Sequence, residues 1–448
     1  MGSCLSWPNK GIKKTIDRSQ PVCIVGFDLL RCPEGVQEDW PALIATMRAA
    51  ANKLRTRSCA LQGRALLVNS KVLSKLWYKG RFSSPSGTQI KVIRSLAWEA
   101  VWAGRTTLKP SIDVGRRPAN LGGVGFLDPE VQLYALQAMW MARFLTTRPH
   151  PSWWTALNWV LSAYNGDRSF LGSHTSGAAR FPECWQPYLV AWQKLHPHWS
   201  TDLLEWTPQK ALCLPVPQTT SHRARSGLRL IDLVTWNAST SAVTLRSPDS
   251  LAGFGAPKRV GKALTALQDG SSTLPASLVH LALSSSSLPP SRSSCSALHA
   301  HIQVAGVMLF SLTTALARRY INQSKGFLGP YDWRDRSITK QIGRPPPDIW
   351  SRLHHRARSP RHKETFYKFL FNALPLGDRV HHFVLEKAFC HYCPSQVQTM
   401  RHFLFSCPLA QCLWRDFRDL YSLPQAVTVQ QAAFSWSPQT RVLGRLSS

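Results

Sequence analysis

Apolar residues recur at helical spacing in three successive segments near the start of the chain. In the first, residues 40–57, Asp39 precedes the apolar series as an N-cap and Pro41 lies in the first turn. The second segment follows directly, and the third, Thr88–Ala103, ends before Gly104, a residue type that closes helices in the left-handed conformation. The pattern predicts three amphipathic helices with these buried positions: Leu43, Met47, Ala50 and Leu54; Leu61, Ala65, Val68, Val72 and Leu76; Ile90, Ile93, Ala97 and Val101.

A fourth helix is predicted after a glycine-rich turn at residues 116–128. Asp128 is placed as its N-cap and Pro129 in its first turn, and the helix is expected to run from about Glu130 to Thr147. The turn is not a phosphate loop, because it lacks the Lys-Ser or Lys-Thr that ends a P-loop. Its Gly-x-Gly also lacks the third glycine that a dinucleotide fold requires.

Composition divides the middle of the chain into three stretches. Residues 150–267 are rich in Trp and Pro with short apolar runs, and we interpret them as a connector of irregular helices. Residues 268–298 are dominated by Ser and Pro and are expected to form a disordered linker, because they carry too little apolar area to fold. Residues 299–347 are expected to be a helical connector, with one helix near His301–Asn322.

A basic and aromatic segment follows the proline run at residues 345–347. Asp348 is the predicted cap of a helix that begins at Ile349. A longer basic helix is expected to end near Leu374, because Pro375 cannot continue the hydrogen-bond ladder. This segment supplies five candidate contacts to phosphate, and a solvated charged face without a ligand is the alternative. The five are Arg356, Arg358, Arg361, Lys363 and Lys368.

The balance of charge favours a polyanionic partner. Lys and Arg number 54 against 24 Asp and Glu, which gives a formal net charge of +30. The excess is spread along the chain, as expected for an extended nucleic-acid-binding surface. With 44% hydrophobic residues and 18 tryptophans, the chain can form two or three packed domains and is not a disordered polymer.

The sequence also bears on the compartment. No run of eighteen or more apolar residues is present, so no transmembrane helix is expected. Most of the eleven cysteines are scattered, which fits a reducing compartment and predicts an intracellular protein, nuclear or cytoplasmic. The first residues match the pattern for N-myristoylation at Gly2, with Cys4 as a second acylation position. So short a pattern often arises by chance, and membrane anchoring is therefore not expected.

One cysteine cluster near the C-terminal end has the spacing of a zinc site. The series C-x2-C-x8-H-x4-C offers four ligands to one metal and no open position, which predicts a structural zinc ion. A disulfide and a set of unliganded core cysteines are the alternatives. Two neighbours, His391 and Cys412, leave the choice of ligands open. The preferred ligands are Cys390, Cys393, His402 and Cys407, with Phe403 and Phe405 as an apolar wall.

Two stretches of the chain resemble the reverse transcriptases of non-LTR retrotransposons. Residues 40–145 resemble the helices that follow the polymerase palm in that family, and residues 350–414 resemble its zinc-binding domain. The motifs that carry the resemblance are residues 61–70, LQGRALLVNS; 73–78, LSKLWY; 102–105, WAGR; 117–126, RPANLGGVGF; 372–375, NALP; the cysteine-histidine cluster; and Trp414. Residues 25–27 resemble the tail of the palm.

The resemblance implies a mainly α fold built from several parts. Residues 1–39 would hold a palm remnant, 40–149 a thumb-like helical domain, 348–425 a small α-helical zinc-binding domain, and 426–448 a tail. The thumb would grip a template-primer duplex, and the zinc domain would hold RNA or target DNA, so RNA or an RNA/DNA duplex is the expected partner. The thumb residues implied as phosphate contacts are Arg48, Lys53, Arg64, Lys71 and Lys75.

The resemblance does not imply an enzyme. A polymerase holds two Mg²⁺ ions with clustered carboxylates, and the sequence contains no adjacent Asp-Asp pair. Asp332 and Asp335 are read as a solvated turn, and the fingers and most of the palm would lie upstream of Met1.

The leading hypothesis is a nucleic-acid-binding fragment of a reverse transcriptase, to which no oligomeric state is assigned. The alternatives are a lipid-anchored or soluble zinc-dependent protein-interaction module, and a decayed element copy without a cellular role.

Overall fold

A computed structural model describes the chain at residues 22–24, 27–32, 35–81, 83–103, 109–146, 185–214, 229–247, 257–269, 274–287, 289–290, 301–326, 332–333, 337–355, 358–380, 388–421 and 434. Its architecture is mainly α, as the sequence predicts. Gly104, Gly2, Cys4, Arg356, Asp335 and the tail except Phe434 lie outside the described residues.

The N-terminal part is helical from Trp40 to Thr146, with short connections. Two of its helices are joined by a π-helical turn at Val68–Val72, so they form an almost continuous rod. The helices are α1 Trp40–Arg55, α2 Leu61–Leu67, α3 Leu73–Lys79, α4 Gly87–Val101, α5 Ile112–Gly115 and α6 Pro129–Thr146. All the predicted apolar positions of α2 to α4 are buried. In α1 the buried alanine is Ala51, while the predicted Ala50 is only half-buried.

Two of the three predicted helix caps form, whereas Asp348 precedes the helix that begins at Ile349 without making a side-chain capping hydrogen bond. The Asp39 side chain accepts a hydrogen bond from the Ala42 backbone N–H at 2.9 Å. Asp128 accepts from the backbone N–H groups of Glu130 and Val131, at 3.0 and 3.1 Å, where α6 begins. Because such caps satisfy donors that have no partner within the helix, they fix where each helix starts.

In the described part of the chain, three small antiparallel sheets accompany the helices. The first has the strand order β1-β2-β3, the second β4-β7-β8, and the third contains β5 and β6. The strands are β1 Val22–Ile24, β2 Phe27–Cys32, β3 Gly35–Glu38, β4 His198–Trp199, β5 Val234–Asn237, β6 Ala242–Leu245, β7 Ile302–Val304 and β8 Val307–Met308. In the second sheet, Gln303 of β7 pairs with His198 of β4 on one side and with Met308 of β8 on the other.

The helix predicted near His301–Asn322 is wrong over its first half. Residues 302–308 form the hairpin of β7 and β8, and the helix begins only at Thr314. Ala305 and Gly306 have φ angles of 53° and 73°, and a two-residue turn with both φ angles positive matches the twist of a hairpin. The Ala-Gly pair was the sequence signal for this turn.

A first hydrophobic core joins α6 to the middle of the chain. Its helices are α7 Gln186–Gln193, α8 Pro208–Leu212, α9 Pro257–Gln268, α10 Ala276–Leu283 and α11 Thr314–Ser324. The predicted disordered linker differs from the structure here. Leu274 and Leu278 of that segment are buried in the core, and Leu278 and Ala282 form the inner face of α10.

A second hydrophobic core joins α1–α4 to a distant part of the chain. Trp333, Trp350, Tyr367, Phe369, Met400 and Phe434 pack in the same cluster as Met47, Leu61, Trp98 and Trp102. The C-terminal helices are α12 Ser337–Gln341, α13 Ile349–Leu353, α14 Pro360–Leu370, α15 Gly377–Val380 and α16 Pro408–Tyr421. The two segments predicted as separate thumb-like and zinc-binding domains therefore share one core.

Candidate metal centre

The four side chains predicted as metal ligands lie together. The ligand atoms of Cys390, Cys393, His402 and Cys407 are all within 4.8 Å of one another. The Cys407 Sγ atom is 3.9 Å from that of Cys390 and 3.8 Å from that of Cys393. Tetrahedral zinc with bonds of about 2.3 Å places two sulfurs about 3.8 Å apart, whereas a disulfide requires about 2.05 Å. The sulfur separations fit a metal site.

A tight turn positions the first two cysteines. The Cys393 backbone N–H donates to the Cys390 carbonyl at 3.2 Å, and the Cys390 N–H donates to the Gln396 carbonyl at 2.9 Å. Phe389 and Val397 form an antiparallel bridge behind the turn. This arrangement turns both thiols towards the same side, as the C-x2-C spacing predicts. We call residues 388–398 the knuckle.

A second π-helical turn positions the other two ligands. Residues His402–Ser406 form this turn, and the Cys407 backbone N–H donates to the His402 carbonyl at 2.8 Å. The wider turn brings residues five apart together, which suits the H-x4-C spacing. Behind it the Phe405 ring stacks on Trp414 at 6.0 Å, and the Trp414 Nε1–H donates to the Leu404 carbonyl at 2.7 Å. Of the predicted apolar wall, Phe405 is therefore packed, whereas Phe403 is half exposed.

The buried His402 side chain has a ring nitrogen without a hydrogen-bond partner among the described residues. His402 is 8% exposed, and the nitrogen is its Nε2 atom. A buried nitrogen without a partner is costly unless a ligand satisfies it. Three thiol sulfurs and the buried, unpartnered Nε2 of His402 form a donor set that fits zinc.

The pKa values of two of the thiols are shifted in opposite directions. Burial, together with the interactions with Cys407 and Cys390, raises the pKa of the Cys393 thiol to about 11. Burial also acts on Cys407, but the backbone N–H groups of Ala410 and Leu409 outweigh it and lower the pKa of that thiol. Those N–H groups belong to the start of α16, where the helix favours negative charge. The Cys407 thiol thus ionises more readily than that of Cys393, and binding of a divalent cation would displace the Cys393 proton.

The two neighbours that left the ligand choice open lie outside the cluster. His391 is exposed, with its ring against Tyr392 at 5.3 Å. Cys412 is exposed on α16, where its sulfur accepts a hydrogen bond from Arg415 at 3.2 Å.

Nine of the ten predicted phosphate contacts lie in the described residues, Arg356 being the exception, and they divide into three groups. Exposed side chains that make no ion pair within the described parts of the chain are those of Arg48, Lys53, Lys71, Lys75 and Arg361. Two others are half-buried: Lys363, and Arg358, whose guanidinium lies 5.2 Å from the centre of the Phe366 ring. The structure uses the remaining two, Arg64 and Lys368, internally.

Arg64 and Lys368 meet at one carboxylate. Glu364 Oε1 accepts from Arg64 at 2.9 Å and from Lys368 at 2.5 Å, and all three side chains are at most 15% exposed. The Arg64 guanidinium also donates to the carbonyls of Val101 and Cys59. Sequence reasoning missed this role of Glu364, although its spacing of four from Lys368 was a signal for that half of the cluster.

Comparisons with known proteins point to the same part of the chain. Residues 336–414 match a family described as zinc-binding in reverse transcriptase. The match contains all four clustered side chains and ends at Trp414. No helix in the described ranges is long and apolar enough to cross a membrane.

A transposon protein is also similar to the chain. The uncharacterized 149 kDa protein of transposon TX1 from Xenopus laevis is 29% identical over 96 residues. These make up 21% of this chain but only 7% of that protein, so the chain spans a small part of the relative. Together the two matches confirm the resemblance to the C-terminal part of a retrotransposon reverse transcriptase.

Proposed function

We propose that this chain is a nucleic-acid-binding and zinc-binding fragment of a retrotransposon reverse transcriptase that does not copy nucleic acid by itself. The observation that carries the proposal is the cluster of Cys390, Cys393, His402 and Cys407 inside the segment that matches the reverse-transcriptase zinc-binding family. The TX1 relative supports an origin in a mobile element.

The zinc ion would have a structural role. The ion would be held by the thiolates of Cys390, Cys393 and Cys407 and by Nε2 of His402. Four protein ligands leave no position for a reacting water, in contrast to catalytic zinc sites. The ion's contribution is then to neutralise the thiolates and to fix the knuckle against α16.

Nucleic acid would bind through phosphate contacts. Arg48, Lys53, Lys71 and Lys75 project from α1 and from the rod of α2 and α3, and none of them makes an ion pair inside the described ranges. Lys71 and Lys75 lie one turn apart on the exposed side of that rod. Contacts of this kind position a strand without reading its sequence.

The chemistry of polymerisation is not supported by the residues present. The sequence contains no adjacent Asp-Asp pair, and the family match covers the zinc-binding region of a reverse transcriptase. We therefore propose that the chain binds and positions nucleic acid but does not transfer nucleotides.

Salt titration of binding tests the proposal. Fluorescence anisotropy with an RNA/DNA duplex should show that log K falls linearly with log salt, with a slope that counts the phosphate contacts. Lys75→Glu should weaken binding on all sequences and reduce that slope by about one. The matched control is Lys194→Glu, which makes the same charge change at an exposed position outside residues 40–145 and 350–414. Equal effects of the two variants, or an affinity that does not depend on salt, would contradict the proposal.

A further inference from the structure

Helix α16 carries an apolar face that is exposed in the structure. Leu409, Leu413, Phe417 and Leu420 recur at spacings of four, four and three, so they lie on one side of the helix. Leu413 is 61% exposed and Leu420 is 74% exposed. An exposed series of large apolar residues on one helix face marks an interaction site more often than it marks a solvated surface.

This face borders a groove between α16 and the knuckle. The groove has a volume of about 430 Å³, and its lining includes Tyr392 of the knuckle, Phe403 of the π-helical turn, and Leu409, Leu413 and Phe417 of α16. Tyr392 is 65% exposed and Phe403 is 45% exposed. Cys390 of the knuckle and Cys407, which directly precedes α16, belong to the cysteine cluster, so the proposed zinc ion would hold the knuckle and α16 at a fixed separation.

The charge beside the groove has the opposite sign to that of the chain. Asp416 lies three residues after Leu413 and four before Leu420, so it lines the edge of the apolar face, and Asp419 continues that edge. Both carboxylates are exposed and make no ion pair within the part of the chain that the structure describes. Acidic side chains repel phosphate, which disfavours nucleic acid at this edge.

Charge also disfavours a second copy of the chain. In a second copy the same face has the same acidic edge, so two α16 faces packed together would offer Asp416 and Asp419 no basic partner on that edge. A face of leucines with an acidic edge is instead complementary to an amphipathic helix that has an apolar stripe and a basic edge. Helix-in-groove recognition uses anchors at this spacing.

We propose that the groove between α16 and the knuckle is a docking site for a basic-edged amphipathic helix of a protein partner. Apolar side chains of the partner would fill the space between Tyr392 and Leu413, and its Lys or Arg side chains would pair with Asp416 and Asp419. This goes beyond the proposed function, because it adds a protein partner on a surface separate from the basic face of α1–α3.

A synthetic peptide tests this with the full-length chain loaded with zinc. The probe is an 18-residue helical peptide, fluorescently labelled, with leucines at spacings of four and three and lysines along one edge; a second peptide carries glutamates in place of the lysines. The lysine peptide should bind, and Leu413→Glu should weaken it about tenfold or more, as for a central anchor. Leu66→Glu is the matched control, since Leu66 is 68% exposed on α2.

A charge exchange gives the sharper readout. Replacing Asp416 and Asp419 together with Lys should weaken the lysine peptide and strengthen the glutamate peptide, each by about three- to tenfold. Zinc content and far-UV circular dichroism check that both variants stay folded, which is expected because the replaced residues are exposed. Failure of the peptide to bind, or an equal preference for both peptides, would refute the docking site.

Other occupants would show themselves in the same set of experiments. Loss of duplex binding in Leu413→Glu would assign the groove to nucleic acid. A dimer in sedimentation that Leu413→Glu dissociates would assign it to a second copy. Peptide binding that appears only after deletion of residues 435–448 would assign it to the chain's own end. Each of these three results overturns the docking-site proposal. Only the first, loss of duplex binding in Leu413→Glu, would also change the salt dependence of duplex binding.

Discussion

The carboxylate of Glu364 accepts a hydrogen bond at 3.0 Å from the backbone N–H of Leu61, a residue 303 positions earlier in the chain. Leu61 is the first residue of α2, and the residue before it, Ala60, offers no side-chain cap. Glu364 therefore supplies from α14 the cap that α2 lacks in its own sequence. The same carboxylate holds Arg64 and Lys368.

This contact links α2 and α14, which both pack into the second hydrophobic core. Beside it the Tyr367 hydroxyl donates to the Gly122 carbonyl at 3.0 Å, and the Gln62 amide lies 2.8 Å from Nδ1 of His354. These polar contacts surround the packed rings of the shared core. A change in α14 should therefore be felt in α2.

Glu364→Gln should destabilise the whole shared core. The substitution leaves the buried charges of Arg64 and Lys368 without a counter-charge, and we expect the free energy of unfolding to fall by about 2 kcal/mol, below the value for fully buried pairs. Urea unfolding followed by tryptophan fluorescence measures the change. Hydrogen exchange at the Leu61 amide should accelerate with it.

A matched control for that substitution is Glu99→Gln. Glu99 also pairs with an arginine, Arg55, but at 3.6 Å and with both side chains at least 30% exposed. Exposed pairs contribute less than about 1 kcal/mol, so this variant should be nearly as stable as the wild type. Equal losses in the two variants would mean that Glu364 is not a special contact.

The stability contributed by Glu364 should depend on pH. Burial acts to raise the pKa of this carboxyl, but the hydrogen bond from Lys368 and the charge of Arg64 outweigh it and hold the pKa below the ordinary value of 4.5. A group whose pKa is lowered by folding stabilises the protein above its unfolded pKa, and this stability is lost as the pH falls through the folded pKa. The difference in unfolding free energy between wild type and Glu364→Gln should therefore shrink below pH about 4.5. A difference that stays constant would contradict the pairing.

The sequence predicts local structure well and long-range structure poorly. The caps at Asp39 and Asp128 and the buried stripes of α2–α4 follow from spacing and short-range hydrogen bonding, so they are visible in the sequence. The four clustered metal-ligand candidates are visible for the same reason, because each half of the set is local. The hydrogen bond between Leu61 and Glu364 is not visible in the sequence, because no periodic pattern relates residues hundreds of positions apart. The basic side chains of Arg64 and Lys368 consequently looked like phosphate contacts.

Gly122→Ala should be much more damaging than Gly125→Ala. Both glycines have positive φ angles, 90° and 76°, so both substitutions strain the backbone by about 1–2 kcal/mol. At Gly122 a Cβ atom would also lie 2.5 Å from the Trp350 ring, whereas at Gly125 it would meet nothing within 4 Å. Overpacking of this kind costs about 1–3 kcal/mol more. Thermal unfolding of the two variants isolates the ring contact, and similar losses would show that Trp350 does not press on this turn.

Removal of the metal should loosen the region around α16 and also disturb the shared core. Cys393→Ser should abolish stoichiometric zinc binding, because zinc-binding energy is folding energy in such sites. Met400, two residues before His402, is fully buried in the shared core, so the disturbance should reach α1–α4 as well. Hydrogen exchange should rise strongly in residues 388–421 and measurably in α1–α4. Cys412→Ser is the control, since its thiol lies outside the cluster and one equivalent of zinc should remain. Zinc retained by Cys393→Ser with unchanged exchange would show that Cys393 is not a ligand.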